Sequence, residues 1–91
     1  MLRLNCFIRV GAEHHDAVLE AARRLTAASL RQEGCVAYDV FTSATRPDVI
    51  MICETWADQA ALDAHGASPE FVEYVGIMRR YAEMKLETFQ F

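Results

Sequence analysis

No stretch of this chain reaches the ~18 consecutive apolar residues that a membrane-spanning helix needs, and no stretch gathers basic residues into a run. The first absence predicts a protein without a membrane span. The second, together with nine Lys and Arg against thirteen Asp and Glu and a net charge of −4, argues against nucleic acid as a partner. The cysteines Cys6, Cys35 and Cys53 are odd in number, lack CxxC spacing and lie inside apolar runs. That pattern excludes a disulfide framework and predicts reduced thiols packed in the core of a cytoplasmic protein. The first residues, where Arg3 and Asn5 break the apolar run, do not make a signal peptide. A metal centre also lacks its ligands: His14 and His15 are adjacent and point apart, and no third ligand accompanies them. There is no repeat, low-complexity segment or linker, so residues 1–91 are expected to form one domain.

What the chain does have is apolar surface. At 91 residues it buries only about 60–65% of the surface its unfolded form exposes, yet 53% of its residues are hydrophobic. Either much of that surface stays wet or a second copy covers it.

Leu2 to Val10 is rich enough in β-branched and aromatic residues for a strand, with Asn5, Phe7 and Arg9 on one face and Leu4, Cys6 and Ile8 on the other. From Glu13 to about Gln32 the positions Val18, Ala21, Ala22, Leu25, Ala28 and Ser29 recur at helical spacing. Gly34 is placed to end that helix as a left-handed cap. Cys35 to Thr42 and Val49 to Trp56 read as a hairpin around the Pro47 turn. Asp58 is a natural N-cap for a short helix carrying Ala61, Leu62 and His65, which Gly66 interrupts. Ser68 and Pro69 restart helix, which runs to about Tyr81, and Met84 to Phe91 alternates as a last strand.

The order β-α-β-β-α-β predicts an α+β, ferredoxin-like fold: a four-stranded antiparallel sheet with its helices on one face. Val49-Ile50-Met51-Ile52-Cys53 is apolar at every position, whereas a sheet with one wet face alternates with polar residues. The uncovered face therefore calls for an apolar partner, most simply a second copy, giving a homodimer through the sheet face that closes as a dimeric α+β barrel.

Glu54-Thr55-Trp56 ends the buried run in a carboxylate and an indole, and the next helix brings His65 back towards them. With Glu33-Gly34-Cys35, Tyr38, Leu62 and Ser68-Pro69 followed by Phe71, the chain resembles the antibiotic biosynthesis monooxygenase family over nearly its whole length. Gly11 to His15, Asp48 to Ile52 and Glu83-Met84 are most similar to its small quinol monooxygenases. The resemblance implies a cofactor-independent monooxygenase that oxidises a quinol or related hydroxylated aromatic with O2, using neither flavin nor metal. Such a protein binds a flat ring, accepts a proton and stabilises an oxyanion. Family members also include a sugar-phosphate isomerase, and Arg3, Arg9, Arg79 and Arg80 keep an isomerase of a small phosphorylated sugar open. A third alternative is a non-catalytic small-molecule-binding barrel. Haem-degrading members carry an iron-ligating histidine on the last helix. Pro69 to Ala82 has none, which argues against haem.

His65 is the candidate proton acceptor, weighed against a helix histidine bonded to a neighbouring carbonyl. Trp56 is a candidate platform for a flat substrate, with Phe71 and Tyr74 as the opposite wall, weighed against plain core packing. Glu54 is a candidate substrate contact, but its preferred reading is an ion pair with Arg9, Arg79 or Arg80. Asn5 either orients a substrate oxygen or bonds a neighbouring side chain.

Overall fold

The structure, a computed structural model, describes residues 1–91. Its elements follow the order β1 (Leu2–Val10), α1 (His15–Ser29), β2 (Cys35–Thr42), β3 (Val49–Trp56), α2 (Gln59–Gly66), α3 (Pro69–Tyr81) and β4 (Ala82–Gln90). The strands form one antiparallel sheet in the order β2-β3-β1-β4. The ferredoxin-like α+β fold expected from the hydrophobic periods is the observed one.

Alternation in β1 decides which side of the sheet is dry. Leu2, Leu4, Cys6, Ile8 and Val10 are buried, while Arg3 and Arg9 are exposed and Asn5 and Phe7 half-buried. Across the register Cys6↔Ile52 and Ile8↔Ile50, the buried set continues onto β3. Val18, Ala21, Ala22 and Leu25 of α1 and Val75 and Met78 of α3 close over it. Each of the larger side chains among these, taken fully out of water, contributes about 1.5–3 kcal/mol. The opposite face of the sheet carries no helix and presents Phe7, Met51, Cys53 and Phe89 beside Phe41, which is 48% exposed.

Helix α1 stops at Ser29, earlier than the expected Gln32. Arg31 N–H donates to Ala28 O and Gln32 N–H to Ser29 O, so the chain tightens into three-residue turns that take up the orphan carbonyls. Gly34 follows with φ +81°, and a Cβ there would collide with the Cβ of Ala61 on α2. A side chain at position 34 would be both strained and in the way. Ala57 N–H donates to Gly34 O at 2.8 Å, which ties this turn to the end of β3. Strand β4 begins at Ala82, directly at the end of α3, rather than at Met84.

Candidate active site

The corner between α2 and α3 is held by three hydrogen bonds that the sequence provides for. Asp58 caps α2 by accepting from Ala61 N–H at 2.8 Å. Ser68 Oγ accepts from Phe71 N–H at 3.2 Å, capping α3, and donates to the carbonyl of His65 at 2.7 Å. The His-x-x-Ser-Pro spacing is thereby explained: one serine starts the second helix and clamps the backbone of the histidine that ends the first.

His65 is 2% exposed. Its Nδ1 lies within hydrogen-bond distance of Oε1 of Gln32, at 2.7 Å, and its Nε2 lies 3.9 Å from Oε1 of Glu54. The ring rests 4.5 Å from the Trp56 ring, 5.1 Å from Phe71 edge-on and 5.7 Å from Tyr38. Burial pushes the imidazole pKa down to about 4, because the charged form loses its hydration. At neutral pH His65 is an unprotonated acceptor. The carbonyl that meets the ring is that of the Gln32 side chain, 33 residues away in sequence.

Glu54 does not form the arginine ion pair expected for it. Arg9 pairs with Asp48 at 3.3 Å across the exposed edge, and Arg3 donates to Thr55. Both start from the opposite face of the sheet and cannot reach Glu54, and Arg79 and Arg80 of α3 make no ion pair with it. The carboxylate instead accepts from the indole N–H of Trp56 at 2.9 Å. Burial raises its pKa, and the Trp56 indole N–H together with the nearby Tyr38 hydroxyl pulls the other way. Burial likewise raises the Tyr38 hydroxyl, with the Glu54 charge adding to the effect.

A cavity of about 630 Å³ opens between the sheet and the helices. Leu4, Leu25, Ile52, Val75 and Met78 make its apolar wall, and Glu54, His65 and Tyr38 give it a polar end. Phe71 lines it as expected. Trp56 is 0% exposed and lies behind Glu54 and His65. It supports two site residues from beneath and does not offer a substrate platform. Tyr74 lies near Arg24 of α1 and is not among the residues lining the cavity. Asn5 lies on the open face of the sheet, opposite Cys53 and Glu87, because an odd position on β1 points away from the helices. The structure therefore joins His65, Glu54 and Phe71 around one cavity and leaves Asn5 and Tyr74 outside it.

Two site residues escaped sequence reasoning. Gln32 sits in the turn after α1 with no periodicity to mark it, and its partner is 33 residues away. Tyr38 stood in a recognisable motif, but its role needed the register Tyr38↔Glu54 across β2 and β3. Arg79 is the single cation among the nineteen lining residues, and the thiol of Cys6, also on the wall, is pushed up to about 11 by burial. No group of three His, Cys, Asp or Glu is gathered in metal-binding geometry.

With this geometry in view, the family model described as "Antibiotic biosynthesis monooxygenase" matches residues 1–76. The chain belongs to that family. It is similar to the "Probable quinol monooxygenase YgiN" of Escherichia coli (strain K12), 31% identical over 74 residues that cover 72% of this chain and 71% of that protein. It is also similar to a conserved protein of unknown function from Bacteroides thetaiotaomicron VPI-5482, at 53% identity and a TM-score of 0.97, covering 99% of this chain and 96% of the other. A mutant form of SnoaB, a cofactor-independent oxygenase from Streptomyces nogalater, shares the fold at 19% identity and a TM-score of 0.87, covering 99% of this chain and 91% of that one.

Proposed function

We infer that this protein is a cofactor-independent monooxygenase acting on a quinol or related hydroxylated aromatic. The observation that carries the inference is the pair formed by His65 Nε2 and Glu54 Oε1, 3.9 Å apart at one end of a mainly apolar cavity. Two acceptors at that separation leave room for one ligand hydroxyl within about 2.8 Å of both. A cavity of this size fits the range that encloses a small ring system.

In this reading the quinol ring lies between Leu4, Ile52, Phe71 and Val75, and its hydroxyl meets His65. Nε2 accepts the proton, and the imidazolium that forms gains the neighbouring carboxylate of Glu54 as its counter-charge. The quinolate then passes an electron to O2, and the resulting radicals combine at ring carbon. One oxygen atom stays on the ring and the other leaves as water. The balance is quinol plus O2 giving hydroxyquinone plus water, a four-electron oxidation for which the substrate is the reductant. The name of the Escherichia coli relative supports the same substrate class. The sugar-phosphate alternative has less support, since Arg79 alone brings positive charge to the cavity wall.

The same proposal makes the protein a cytoplasmic, single-domain homodimer paired through its open sheet face. The apolar side chains on that face support this, and a standard interface needs about 800 Å² from each partner.

The test is oxidation of menadiol under oxygen, followed by absorbance and by oxygen uptake. Wild type is expected to exceed buffer, and His65→Ala is expected to lose about a hundredfold or more, the usual contribution of a general base. A wild type no faster than buffer sinks the oxygenase reading for quinols and leaves the binding barrel. A fully active His65→Ala removes the base from the mechanism.

A further inference from the structure

The geometry points to Gln32 as the residue that fixes the tautomer of His65, holding the ring proton on Nδ1 so that Nε2 faces the cavity as a bare lone pair. This rests on the proposed role of His65 as the proton acceptor, and its own readout does not depend on turnover.

An amide oxygen only accepts hydrogen bonds. With Gln32 Oε1 at 2.7 Å from Nδ1, the proton belongs on Nδ1, and the other nitrogen is left with its lone pair. That other nitrogen makes no hydrogen bond within the protein, and Glu54 Oε1 lies 3.9 Å from it. The opposite tautomer would set the Nδ1 lone pair against the amide oxygen. It would also place an N–H where the substrate hydroxyl has to deliver its proton.

Gln32 is held firmly enough to select between the two. Its N–H donates to Ser29 O at 3.0 Å, its carbonyl accepts from Cys35 N–H at 3.2 Å, and the next turn is tied by Ala57 N–H to Gly34 O at 2.8 Å. The side chain is half-buried. From the other side His65 is held by its carbonyl bond to Ser68 and by the Trp56 ring. The titratable and charged groups that line the same cavity are Glu54 from β3 and Tyr38 from β2, which face the ring, and Cys6 from β1, Asp63 from α2 and Arg79 from α3. None of them is hydrogen-bonded to the imidazole, so the amide of Gln32 is the one side chain that hydrogen-bonds the ring.

The side chain touches no cavity volume, so it is a positioning residue. Two substitutions separate orientation from mere packing. Gln32→Met keeps the length and removes the acceptor. Gln32→Glu keeps an acceptor oxygen and adds a negative charge.

The experiment is a long-range 1H–15N correlation spectrum of the histidine rings in the labelled full-length protein at pH 7, with circular dichroism to verify folding. Wild type is expected to show His65 with a protonated Nδ1 and a pyridine-like Nε2. Gln32→Met is expected to show the reverse tautomer or a mixture, while Gln32→Glu keeps the wild-type tautomer and titrates at higher pH. In menadiol oxidation Gln32→Met is expected to lower kcat by about ten- to a hundredfold, part of what a general base supplies, with KM within about twofold. A wild-type Nε2–H tautomer overturns the inference, as does a Gln32→Met spectrum identical to wild type. If the wild-type tautomer is as expected but menadiol is not oxidised, the oxygenase reading fails and the role of Gln32 stands.

Discussion

The indole of Trp56 donates to the carboxylate of Glu54 at 2.9 Å, from two residues along the same face of β3. Period-two alternation puts both side chains on the helix side of the sheet, where the carboxylate is buried and the indole N–H is its hydrogen-bond donor. A residue that looks like a substrate platform in one dimension is a hydrogen-bond donor that holds a site carboxylate in place.

Trp56→Phe keeps most of the buried ring and removes that donor. Leaving Glu54 without it is expected to cost about 1–3 kcal/mol and to raise the Glu54 pKa further. For a chain of this size each kcal/mol lowers Tm by about 4–8 °C. Thermal unfolding at neutral pH measures it, and an unchanged Tm would show that the bond contributes nothing net.

Acid should destabilise the protein through His65 and be partly opposed by Glu54. The His65 pKa falls from 6.5 in the unfolded chain to about 4 in the fold. Its contribution is therefore intact above pH 6.5 and lost as pH falls towards 4, by up to about 3 kcal/mol. Glu54 has a folded pKa raised above 4.5, so its contribution is full below 4.5 and lost as pH rises through the folded value. Glu54→Gln removes the opposing contribution, and denaturant unfolding between pH 7 and 4 should then show a steeper acid loss than in wild type. An equal slope would contradict this coupling.

Gly34→Ala should be the most damaging single-methyl change in the chain. It places a Cβ at positive φ and drives it into Ala61, so a loss of about 2–4 kcal/mol is expected from backbone strain and displacement together. Because Gly34 follows Gln32 and touches α2, which carries His65, the variant should also slow menadiol oxidation. Urea titration gives the first effect and initial rates the second; a stable, fully active variant would refute both.

Phe41→Glu places a charge on the open sheet face, away from the cavity. It is expected to convert a dimer to a monomer in light scattering at micromolar concentration. A wild type that is already monomeric at that concentration removes the proposal that a second copy covers this face.

Much of the architecture was legible because it depends on short periods. The alternation of Leu4, Cys6 and Ile8 named the dry face of β1, and Asp58 and Ser68 announced the two helix starts they cap. The end of α1 was less legible, since Gln32 continues a helical sequence and only the turn to Gly34 shows that the helix has stopped. For the site, His65 and Glu54 could be found from spacing along β3 and α2. Their partners could not, because an arginine in sequence looks equally available to either face of a sheet.

By itself the sequence determined the four strands, the helical corner that presents His65, the apolar excess and the family, since each follows from local periodicity, capping chemistry or the order of motifs. Only the tertiary structure decided that Glu54 bonds to Trp56 and not to an arginine, that Asn5 lies across the sheet from the cavity, and that Gln32 meets His65 from 33 residues away. The physical reason is that hydrogen-bond partners of buried groups are chosen by which side of a sheet they occupy and by how tightly a turn is pinned. Neither quantity is local in sequence.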